Sequence, residues 1–154
     1  MEQDTFRRIL ETHQQSLFVV AFGYCRNRQD AEDVLQDVFL KLFTHPPQIT
    51  DDRQLHRWLI RVTINRCKDI LRTPWRRLRV ESAGEALPDA YEDDRTVFDA
   101  VMALPQKYRE VVLLYYYEGY AVAEIAALLH RKPTTVQTQL ARARAQLKTI
   151  LQEE

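Results

Sequence analysis

Residues 52–72 read DRQLHRWLIRVTINRCKDILR, and their periodicity decides the fold class. At 100° per residue, Ile60, Ile64, Cys67 and Leu71 fall in one arc. Arg57, Arg61, Asn65, Lys68 and Arg72 gather in another arc about 80° wide. The run is therefore a helix with an apolar flank for a core and a cationic flank for something else. Trp58 borders the cationic stripe. An aromatic ring among Arg, Asn and Lys suits single-stranded nucleic acid, whose bases stack for about 1–3 kcal/mol each. From spacing alone, Trp58 serves equally well as a core anchor.

Helical period continues on both sides. Upstream, Phe6, Ile9, Leu10, His13, Leu17, Val20, Ala21 and Tyr24 mark a core-facing helix that Asp4 or Thr5 would cap. His13 lies on that apolar stripe and reads as a satisfied core histidine rather than a ligand. A second helix begins near Asp30, with Ala31, Val34, Leu35, Val38 and Leu42 inward and Asp33, Gln36, Asp37 and Leu40 on another face. The outer set reads either as a solvated face or, with a leucine among carboxylates, as a seat for a partner helix carrying Arg. Residues 45–50, HPPQIT, break the chain before Asp51 or Asp52 caps the helix quoted above.

Downstream, residues 74–94 contain Pro74, Gly84 and Pro88, turn acidic and show no apolar period, which predicts a flexible acidic linker. Beyond it Val97, Val101 and Leu104 form a short helix ended by Pro105. Val111, Val112, Leu114, Tyr115 and Tyr116 continue another that stops at Gly119. Val122, Ile125, Leu128 and Leu129 make a short apolar helix, His130 to Pro133 interrupt it, and Thr134 or Thr135 opens a last helix lined by Val136, Leu140, Ala143, Leu147 and Ile150. Two helices with a tight break between them match a helix-turn-helix, whose second helix enters the DNA major groove. Thr135, Gln137, Thr138 and Arg142 would face outward.

Only three glycines and no alternating β-branched runs argue against any sheet, so the expected class is all-α, with two small helical modules joined by the linker. The 154 residues exclude a large multidomain enzyme. Net charge is zero, yet residues 53–79 hold nine basic side chains against the single acid Asp69, and residues 81–99 hold seven acids against Arg95. A basic block of this kind attracts polyanions over a Debye length of about 10 Å at 0.1 M salt. The start MEQD lacks the basic, apolar character of a secretory signal, and no apolar run is long enough to cross a bilayer, which points to a cytoplasmic protein. Cys25 and Cys67 lack CxxC spacing and read as reduced structural thiols. No phosphate loop, metal spacing or nucleophile-base set stands out, so no cofactor and no catalysis are expected.

In order and almost throughout, these residues resemble the bacterial RNA polymerase sigma factors of the extracytoplasmic-function (ECF) type. Residues 30–42, DAEDVLQDVFLKL, look like the family's polymerase-binding helix, and residues 55–72 like its promoter-melting helix. Leu104-Pro105 through Tyr116, Glu118-Gly119, Glu124-Ile125-Ala126, Thr135-Val136 and residues 140–144, LARAR, resemble its promoter-reading module. The resemblance implies a sigma-2-like domain over 1–73, a linker over 74–94 and a sigma-4-like domain over 95–154. It implies that Asp33, Gln36, Asp37 and Leu40 dock on the clamp helices of the polymerase largest subunit, with the flap of the second-largest subunit as a further contact. DNA contacts would come from Arg57, Trp58, Arg61, Asn65, Lys68 and Arg72 at the minus-ten element, where the loop over residues 45–52 would hold an extruded base. Arg131, Lys132, Thr134, Thr135, Gln137, Thr138 and Arg142 would serve the minus-thirty-five element. An anti-sigma factor is the implied regulator, and no membrane insertion is implied.

The turn departs from the family pattern. Family members usually carry Gly where His130 stands, an aliphatic residue at Arg131, Gly at Thr134 and Lys-Ser-Arg or similar at Gln137-Thr138-Gln139. Losing cations there removes phosphate attraction and predicts weak intrinsic binding to the upstream element, with Arg131, Lys132, Arg142 and Arg144 as replacements. Two other readings compete. A self-sufficient helix-turn-helix regulator would bind its operator tightly without polymerase, and an enzyme would have to use His13, His56 or the linker acids.

Overall fold

The computed structural model describes residues 1–82 and 95–152, all of whose regular structure is helical. The chain divides into two compact units, Met1–Ala86 and Leu87–Glu154.

In the first unit three long helices pack on one another: α1 (Gln3–Cys25), α2 (Arg28–Thr44) and α3 (Asp52–Leu71). Their apolar stripes meet in a core that includes Leu17, Phe18 and Phe22 of α1, Val34 and Leu42 of α2, and Leu59, Ile60 and Ile64 of α3. Each such side chain contributes about 1.5–3 kcal/mol relative to exposure. Cys25 and Cys67 are both reduced and buried in this core. The N-cap of α1 lies two residues ahead of the expected Asp4, at Glu2, which makes no side-chain cap hydrogen bond. It ends where Arg26 turns left-handed (φ 58°) and donates its N–H to the Phe22 carbonyl at 2.8 Å. α2 is capped by Asn27, whose Oδ1 accepts from the Asp30 N–H at 2.9 Å, and α3 by Asp51, whose Oδ1 accepts from the Arg53 N–H at 2.8 Å.

A fourth helix, α4 (Pro74–Ser82), occupies the first part of the expected linker. Pro74 sits at the first helical position, where its fixed φ suits a helix start, and the Arg77 N–H reaches the Thr73 carbonyl at 2.9 Å. What holds α4 in place is a pair that no local period reveals. Arg79 grips Asp30 through two nitrogens, its Nε donating to Oδ2 at 3.1 Å, and Asp30 is 1% exposed. Trp75 and Leu78 remain exposed. The remaining linker positions, 83–94, lie outside the described residues.

The second unit contains α5 (Arg95–Met102), α6 (Gln106–Val112), a π-helical turn over Leu113–Tyr117, α7 (Val122–Leu129) and α8 (Pro133–Gln152). Its core joins Phe98, Val101 and Leu104 to Val111, Leu113, Leu114, Ile125, Leu129, Val136, Leu140 and Ala143. The π turn departs from the simple helical continuation expected before Gly119. Tyr116 within it is 53% exposed, and Gly119 takes the left-handed conformation (φ 74°) that ends the segment.

Candidate nucleic-acid interface

α3 presents its cations unevenly, and the helical wheel explains why. Arg57 and Lys68 stand nearest the edge of the buried arc and are half-buried, whereas Arg61, Asn65 and Arg72 are exposed. Trp58 is half-buried, between its two sequence readings. Arg72 also meets Asp69 one turn back at 3.0 Å, an exposed pair that leaves the guanidinium accessible.

Of the α2 set, Asp33, Gln36, Asp37 and Leu40 are all exposed, Leu40 at 62%. Phe43, which the sequence reading missed, extends the patch and packs on Phe6 with ring centroids 5.1 Å apart. Asp37 accepts a 2.6 Å hydrogen bond from Arg66 Nε, and this bond, working against partial burial, holds the guanidinium above its ordinary pKa. Asp37, Asn65 and Arg66 line one groove of about 230 Å³ with Val38, Lys41 and Val62, so the structure brings the α2 face and the α3 stripe together.

His13 is the core histidine that its stripe implies. It is buried, with Nδ1 2.9 Å from His56 Nδ1, and His56 Nε2 lies 3.2 Å from Ser16 Oγ. The two imidazoles bridge α1 to α3, away from the exposed stripe. Among the described residues, no group of three or more His, Cys, Asp or Glu side chains is placed to hold a metal ion.

In the second unit α7 starts where the Ala121 N–H donates to Glu124 Oε1 at 3.0 Å. His130 then adopts the left-handed conformation (φ 56°, ψ 47°) that the turn requires, and the Arg131 N–H reaches the Ala126 carbonyl at 2.9 Å. α8 begins with Pro133, a favoured first helical residue. Lys132, Thr134, Thr135, Gln137, Thr138 and Arg142 are exposed. Thr134, Thr135, Thr138 and Arg142 share a groove of about 270 Å³ with Gln139, Tyr108 and Lys107. Lys107 is a further cation that the sequence reading missed, because it belongs to α6 and only folding carries it to α8.

Two expected replacement cations are engaged inside the protein. Arg131 is half-buried and pairs with Glu110 of α6, itself 4% exposed. Arg144 Nε donates to Tyr116 Oη at 2.5 Å, and its guanidinium sits over the Tyr115 and Tyr116 rings. The buried Glu110 carboxylate takes the Arg131 charge from this surface, whereas Arg144 stays an exposed cation whose direction two tyrosines set.

Comparisons with known proteins agree with this geometry unit by unit. Residues 9–77 match Sigma-70 region 2, and residues 95–147 match Sigma-70, region 4. The chain is 34% identical to the RNA polymerase sigma-E factor of Streptomyces antibioticus, over 96% of this chain and 84% of that one. It is 32% identical to the ECF RNA polymerase sigma factor SigM of Mycobacterium tuberculosis, over 95% and 76%. A probable RNA polymerase sigma factor, RfaY of Xanthomonas campestris, is 28% identical over 97% of this chain, which spans 41% of that longer relative. In fold, the chain matches the sigma factor RpoE in complex with the anti-sigma factor NepR from Bartonella quintana, with a TM-score of 0.75, 21% identity and coverage of 96% and 97%. With two sigma regions in order, an exposed cationic helix in the first and a helix-turn-helix in the second, the chain belongs to the ECF sigma factors of RNA polymerase.

Proposed function

We propose that this sigma factor binds the RNA polymerase core through the α2 face formed by Asp33, Gln36, Asp37 and Leu40, and that its two modules divide promoter recognition. α8 enters the major groove at the minus-thirty-five element with Thr134, Thr135, Gln137 and Thr138 toward bases and backbone. Lys107, Lys132 and Arg142 supply charge there. α3 captures unpaired bases of the minus-ten element along Arg57, Trp58, Arg61, Asn65, Lys68 and Arg72. The observation that carries this reading is the outward stripe of Arg61, Asn65 and Arg72 beside an aromatic ring.

The role is noncatalytic. Bases can be held only after they unstack, so binding energy for the single strand offsets the cost of opening the duplex. Two modules joined by a tether engage the promoter together once the polymerase sets their spacing. The protein acts where the polymerase is, in the cytoplasm. An anti-sigma factor that covers these surfaces is its regulator, a proposal supported by the partner named for the Bartonella relative.

The test is a mobility shift on promoter DNA with and without core polymerase. Binding that requires core supports this reading. Tight binding by the protein alone would replace it with a self-sufficient regulator.

A further inference from the structure

Arg131 stands in the turn between α7 and α8. Its guanidinium pairs with buried Glu110 of α6, donates to Gln139 Oε1 at 2.9 Å, and reaches the Lys107 carbonyl at 3.5 Å. One planar cation therefore joins α6, the turn and α8, a task for which the fork of an Arg is suited and the point charge of a Lys is not. Glu110 has a side-chain exposure of 4% and Arg131 of 22%, so the pair lies under the surface that would meet DNA. Gln139 follows directly on the exposed Gln137 and Thr138, within the first two turns of α8.

We infer that Arg131 is a positioning residue for promoter reading: by linking Gln139 to Glu110 it fixes the rotation and depth of the first turns of α8, without itself touching DNA. The inference rests on the sigma reading above and concerns how that reading is achieved. It accounts for an α8 with little charge on its first turns. Hydroxyl and amide contacts act over a few tenths of an ångström, so they discriminate bases only if the helix carrying them is held in place.

Salt dependence separates a tether from a phosphate contact, because a side chain that neutralises a phosphate releases a counterion and a buried pair does not. Holoenzyme reconstituted with the full chain is offered duplexes randomised across the upstream element, and the selected promoter is then titrated at several salt concentrations. Three variants are compared with wild type. Gln139→Ala cuts the link on the helix side and keeps the ion pair. Arg131→Ala with Glu110→Gln removes the link without stranding a buried charge. The third variant combines all three changes.

The expected result is that each of the first two weakens binding about tenfold, flattens base preference and leaves the salt slope unchanged, while the combination is no worse than either, since both cut one link. Lys132→Ala, one residue along and exposed, should instead lower the slope by about one and keep the base preference. The inference is overturned if the Arg131 variant lowers the slope by about one, if it keeps wild-type preference and affinity, or if the losses add in the combination. A wild-type holoenzyme that selects no sequence at all would instead defeat the sigma reading itself.

Discussion

On α3 and its C-cap, Arg61 and Arg72 lie exposed beside half-buried Arg57 and Lys68; on the first turns of α8 the exposed residues are Pro133, Thr134, Thr135, Gln137 and Thr138, none of them charged. The two surfaces suit different tasks. Charge on α3 acts over several ångströms and tolerates a mobile, sequence-variable single strand. Uncharged groups on α8 act only at contact distance and, on the inference above, depend on the placement that Glu110, Arg131 and Gln139 provide. Under the proposed function the first module contributes affinity and the second discrimination.

The largest expected effect tests the α3 half of that contrast. Arg61→Gln combined with Lys68→Gln should lower open-complex formation about 100-fold, read by permanganate reactivity of unpaired thymines, and should leave upstream duplex binding intact. A loss confined to upstream binding would break the contrast.

Next comes the support behind each surface. Arg79→Ala should cost the first module about 2–3 kcal/mol in denaturant melts, because it leaves the Asp30 carboxylate, 1% exposed, without its cation and with the Asn27 amide as a neutral donor. Asp30→Asn should cost less, since the Arg79 side chain is 42% exposed and can turn to water. Melting of the second module should not change in either case.

A smaller effect sharpens the α8 half. Gln137→Lys should raise affinity for the upstream duplex several-fold and steepen its salt dependence by about one. Unchanged affinity and slope would mean that charge is not what α8 lacks.

The smallest effect concerns pH. Burial, then a hydrogen bond with Cys25, pushes the Cys67 thiol well above its ordinary value of 9.0. The unfolded chain then loses this proton first, so the stabilisation is complete below that value and declines as pH rises past it. Denaturant melts of the first module should weaken above about pH 9, and Cys67→Ala should flatten the decline.

Much of this molecule was legible in its sequence. The α3 stripe, the outward set on α2 and the stop at Gly119 all follow from local period and backbone preference, which act within a few residues. The missed features involve distant partners or a change of helical period. Arg79 meets Asp30 across 49 positions, and Arg131 meets Glu110 across 21, so no local pattern shows that either cation is engaged. α4 escaped notice for the same reason, and the π turn because a period of 3.6 was assumed through Leu113–Tyr117.

That π turn also relaxes a constraint on chain length. Two attachments to α8 meet there: Glu110 ahead of the turn, which holds Arg131 and through it Gln139, and Tyr116 within it, which holds Arg144. The turn absorbs one extra residue, so deleting one there would restore a regular helix with both attachments still in phase, whereas a deletion from the regular helix of α6 would rotate the chain by about 100°. The segment is therefore a place where the residue count can change by one without unhitching α8.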